Sequence, residues 1–99
     1  MEYTSYHSVN ITSKIETLTP ALGKPLFEDL SSTEDKVQIE YEITLPNGKE
    51  VYLYSWKEYR RLKRDSVIEF HIGARSYSES IEARDYINSL ISKTILTKN

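Results

Sequence analysis

The sequence predicts one α+β domain over residues 1–99: a small antiparallel sheet of about four strands built on a central β-hairpin, a short basic helix and a C-terminal amphipathic helix. Three observations predict it. Apolar residues alternate on both sides of Pro46-Asn47-Gly48, alternation recurs near the N-terminus and over 67–72, and the last segment switches to a helical period.

The hairpin organises the rest. Val37, Ile39, Tyr41, Ile43 and Leu45 fall on every second position with polar residues between them, as in a half-buried strand. A two-residue Asn-Gly turn would place Pro46 where the ladder needs an N–H, so a three-residue loop with Gly48 in the left-handed position is expected. That loop opposes Leu45 to Lys49, Ile43 to Val51 and Tyr41 to Leu53. Tyr52, Tyr54 and Trp56 then share the other face, across from Glu42 and Glu40. Such a row of rings is most often covered by a helix; left open, it marks an interaction site.

Ser55 and Glu58 have capping-box spacing, which predicts a helix over 57–64 with Lys57, Arg60, Arg61 and Arg64 on one face and Lys63 snorkelling. Residues 4–18, alternating through His7, Val9, Ile11, Ser13 and Ile15, are expected to form one long N-terminal strand or a bent pair. Whether it pairs with the hairpin or with Val67–Ile72 is left open. Residues 19–32 read as a connection, with Pro25 opening one turn through Leu26, Phe27 and Leu30. Ser31 to Asp35 reads as an exposed loop.

The strand Val67–Ile72 turns Ile68, Phe70 and Ile72 to one side and Glu69 and His71 to the other, and Gly73 closes it. Ser76 and Glu79 have capping-box spacing before the final helix, about Glu79 to Ile95. Its apolar stripe is Ala83, Tyr86, Ile87, Leu90 and Ile91, and residues 97–99 are expected to fray.

Composition narrows the function classes. The chain has no cysteine, which excludes disulfides and thiolate metal sites. No apolar run reaches the ~20 residues of a membrane span, and MEYTSYHSVN has no signal-peptide pattern, so a cytoplasmic location and no membrane partner are expected. Net charge is −2. Residues 57–64 nevertheless hold five basic residues and one acidic, leaving eight basic against fourteen acidic elsewhere.

Catalytic constellations are not found. Glu69 and His71 offer two groups on one strand face, to which His7 would add a third if the N-terminal strand paired there. Tyr59 and Lys63 have Tyr-x-x-x-Lys spacing, but no phosphate-cradling loop accompanies them. The sequence therefore points away from an enzyme, a cofactor or a metal.

Eight tyrosines beside a basic segment point to a binding protein that engages a protein partner through Tyr52, Tyr54, Trp56, Lys57, Arg60, Arg61 and Arg64. A small viral or mobile-element accessory or inhibitor protein would fit the composition. The alternative is a nucleic-acid-binding domain whose basic helix contacts phosphates, or a homodimer closed over the aromatic row.

Overall fold

The structure, a computed structural model, describes residues 4–34 and 37–97. The elements run β1 (Ser5–Lys14), α1 (Ile15–Leu22), β2 (Phe27–Glu28), β3 (Ile39–Thr44), β4 (Glu50–Tyr54), β5 (Val67–Ala74) and α2 (Tyr77–Thr97). One antiparallel sheet in the order β1-β5-β4-β3-β2 carries both helices on a single face. The class is the expected α+β, with five strands.

The hairpin has the expected register, with Tyr41 opposite Leu53 and Ile43 opposite Val51. Leu45 N–H donates to Lys49 O and Gly48 N–H to Leu45 O, both at 2.8 Å, and Gly48 takes φ 86°. That φ is cheap only for glycine, which is why the loop ends there. The N-terminal strand pairs with β5, Ile11 opposite Phe70, and a bulge near Ser8 (φ 64°) shifts its register.

Burial follows the alternation. Ile39, Tyr41, Val51, Leu53, Ile68, Phe70 and Ile72 face Ile15 and Leu18 of α1 and Ala83 and Ile87 of α2 in one core. Tyr41 keeps its hydroxyl satisfied by Thr19 at 2.8 Å. Ser76 caps α2 by accepting from Glu79 N–H at 3.1 Å. Glu79 reaches back to Arg75 N–H at 3.0 Å, one residue earlier than the box would have it.

Four expectations are corrected. The basic helix over 57–64 does not form; Ser55, just past β4, stays against the start of β3, where its hydroxyl accepts from Gln38 N–H (3.0 Å) and Ile39 N–H (3.3 Å) instead of capping. Lys57 and Tyr59 adopt φ 49° and 55°, the buried Gln38 amide donates to Arg60 O at 2.6 Å, and Leu62 is drawn into the core. Three tertiary anchors outweigh a local capping preference. The turn expected at Pro25 is instead strand β2, with Phe27 opposite Glu40. A helix, α1, occupies 15–22 despite Pro20, and β5 runs through Gly73 to Ala74. Asp35, in the loop expected at 31–35, and Lys98 and Asn99, in the tail expected to fray, lie outside the described residues.

Candidate interaction surface

Strand pairing assembles the surface row by row. Phe27, Glu40, Tyr54, His71 and Asn10 oppose one another in sequence across all five strands. The neighbouring row is Glu42, Tyr52, Gly73 and Tyr6. Directly opposed residues project to the same face, and this face is the one turned away from both helices.

His71 is the centre of the surface. The Tyr6 ring stacks on it at 3.7 Å and 11°, Trp56 stacks at a wider 5.8 Å and 26°, and Tyr54 meets it edge-on at 5.7 Å. Tyr54 also meets Trp56 edge-on at 6.3 Å. Tyr6 and His71 are in direct face-to-face contact and the other separations lie within the roughly 4.5–7 Å of attractive aromatic pairs, so the rings form one cluster.

Gly73 leaves room for the Tyr54 ring. A Cβ there would come within 3.2 Å of Tyr54 Cε1. Tyr6, opposite Gly73, lies over His71 and donates its hydroxyl proton to Asn10 Oδ1 at 2.6 Å. His7 Nε2 lies instead 3.0 Å from Ala74 O. Tyr6, and not His7, therefore meets His71, and the three-ligand set imagined for the two histidines is not assembled. Among the described residues no group of three metal-ligating side chains occurs.

No helix covers the rings. Trp56 is 46% exposed, Phe27 44% and Tyr6 38%, and Tyr52 and Tyr54 are half-buried. The expectation that a helix packs over Tyr52, Tyr54 and Trp56 is thus corrected, because both helices take the aliphatic face.

Around the rings the field is negative. Burial, then the charge of Glu42, pushes the Glu40 carboxyl above the usual range. Burial followed by the charges of Glu42 and Glu40 does the same to the Tyr52 and Tyr54 phenols respectively. Burial holds His71 below the usual imidazole range, against the opposite pull of Glu69 and Glu58.

The basic residues expected to form one face diverge. Lys57 Nζ lies 5.5 Å above the Trp56 ring. Arg60 is engaged by Glu58 Oε1 at 3.0 Å and Val67 O at 2.8 Å. Arg61 is exposed in the loop. Arg64 grips Glu28 with two bonds of 2.7 and 2.9 Å at the far edge of the sheet. There it borders a groove of about 670 Å³ lined mainly by α1 and the segment before β2.

Tyr6, Phe27 and His71 were not among the expected contact residues. For both His71 and Tyr6 strand alternation was an available signal of the face, but the register shift at the bulge, which sets Tyr6 over His71, was not. The chain matches no protein-family model, no curated protein and no solved structure. What the surface does rests on its chemistry. No helix among the described residues is long and apolar enough to cross a membrane.

Proposed function

We propose that the chain is a non-enzymatic binding protein that engages a protein partner through the open face of its sheet. The observation behind this reading is the uncovered cluster of Tyr6, Tyr54, Trp56 and His71, flanked by Phe27 and Tyr52. Large rings exposed together and held by one another are the residue types that dominate interface energetics. They arrive with little side-chain entropy left to lose, since Tyr6 is tied to Asn10 and Trp56 lies between His71 and Lys57.

The rings would also suit stacked nucleobases, but phosphates would be brought against Glu40, Glu42 and Glu69, with no basic helix to offset them. A protein partner fits the field better. Tyr52→Ala combined with Trp56→Ala tests the reading in a photo-crosslinking capture, with circular dichroism confirming the fold. The expected result is a captured protein that disappears with the double variant. Capture indifferent to the double variant, or capture of nucleic acid alone, would discard the open face as a protein-binding site. A mass that doubles with concentration in the wild type and not in the variant would make the partner a second copy.

A further inference from the structure

Resting on the open-face reading, we propose that the segment received there is cationic: a lysine- or arginine-bearing stretch of the partner, its charged groups laid over the Tyr54–Trp56–Tyr6 rings and among carboxylates. The rim supplies the charge. Glu40 and Glu42 stand on β3, Glu50 pairs with Thr44 at the hairpin end, and Glu69 flanks His71 on β5, all on the open face by strand register. Among the described residues none of these four makes an ion pair. Three carboxylates elsewhere on the molecule do have cationic partners: Glu58 has Arg60, Glu28 has Arg64 and Glu79 has Arg75.

The chain itself shows that the rings accept cations. Lys57 Nζ, 5.5 Å from the Trp56 centroid, is within the ~6 Å over which a ring face attracts an ammonium. The Glu40–Glu42 pair has the opposite character. Burial, and then the charge of Glu42 beside it, raises the cost of ionising Glu40, and an arriving guanidinium would relieve it. Aromatic faces and unmatched carboxylates on one surface are complementary to an ammonium or guanidinium and repel a phosphate.

Trp56 is the only tryptophan, so its emission reports occupancy of this face alone. The probe is an arginine–glycine repeat peptide, compared with the same peptide in which citrulline replaces arginine and with a single-stranded oligouridylate, at about 50 and about 500 mM salt. Saturable change with the arginine peptide is expected. The affinity should fall about tenfold or more with citrulline, and likewise with Glu40→Gln/Glu42→Gln/Glu69→Gln, which leaves the rings in place. Absence of binding at low salt, equal binding of the citrulline peptide, undiminished binding by the triple variant, or tighter binding of the oligonucleotide would each overturn the proposal. The two readings fail separately. A crosslinked protein lost with Tyr52→Ala/Trp56→Ala but retained by the triple variant would keep the open face and reject the cation; capture unaffected by the former pair would reject the open face itself.

Discussion

His71 is where two opposing effects can be weighed at a single residue. Tyr6, Tyr54 and Trp56 remove water from the imidazole, which disfavours its charged form, while the carboxylates of Glu69 and Glu58 favour it; burial wins and the pKa is lowered. Between that lowered value and the ordinary value of about 6.5, the unfolded chain binds more protons than the folded one. Stability therefore rises with pH through that window, and acidification costs stability. An NMR titration should place the His71 midpoint below the usual imidazole range. Trp56→Ala, by rehydrating the ring, should move the midpoint back up towards it. A midpoint above the ordinary range would show that the carboxylates and ring faces outweigh burial. The pairing of Glu69 with His71 on one face was legible from strand alternation alone. That the Tyr6 ring covers His71 was not, because the bulge at Ser8 shifts the register of Tyr6 along β5 while leaving it on the face that alternation assigns.

At the scale of elements, the segment after β4 carries two competing instructions. Ser55 and Glu58 have the spacing of a helix start, and a local reading favours that outcome. Against it, Ser55 closes the β3–β4 ladder with a backbone bond to Ile39 O at 3.1 Å, and Leu62 N–H donates to Leu30 O at 2.8 Å as its side chain enters the core. These partners are distant in sequence, so a local pattern could not reveal them. The missed helix α1 is a different case: Ile15, Leu18 and Leu22 do have helical spacing, masked by Pro20 and by a strand pattern running into Ile15. Tyr59 separates the two states of the basic segment. In a helix Tyr59→Gly should cost about 1 kcal/mol, whereas at φ 55° glycine relieves left-handed strain, so stability should stay level or rise by up to about 1 kcal/mol. Chemical denaturation decides between them, and a loss of stability would restore the helix. By contrast, Ser76→Ala should cost about 0.5–2 kcal/mol in the same measurement, because the Ser76 hydroxyl does cap α2.

For the whole molecule the decisive fact is which sheet face the helices chose. Both faces carry large side chains, but on one of them the rings alternate with Glu40, Glu42 and Glu69, and covering that face would bury carboxylates that have no ion-pair partner among the described residues. The aliphatic stripe of α2 instead meets Ile68, Phe70 and Ile72, and α1 closes the remaining end through Ile15 and Leu18. This choice was legible in principle from the glutamates; the position of β1 beside β5 was not, since its alternation fits either neighbour. One core shared by both helices and the sheet predicts one cooperative transition. Trp56 emission, reporting the open face, and far-UV circular dichroism, dominated by α2, should therefore give the same denaturation midpoint. Ile87→Ala should lower both midpoints together, with a stability loss of about 2–5 kcal/mol, because Ile87 is wholly buried. Leu90→Ala should cost less, since Leu90 is only half-buried on the same helix. Separate midpoints would mean that the sheet with its aromatic face holds together without α2, and equal losses at the two positions would mean that the helix is rotated from the phase described.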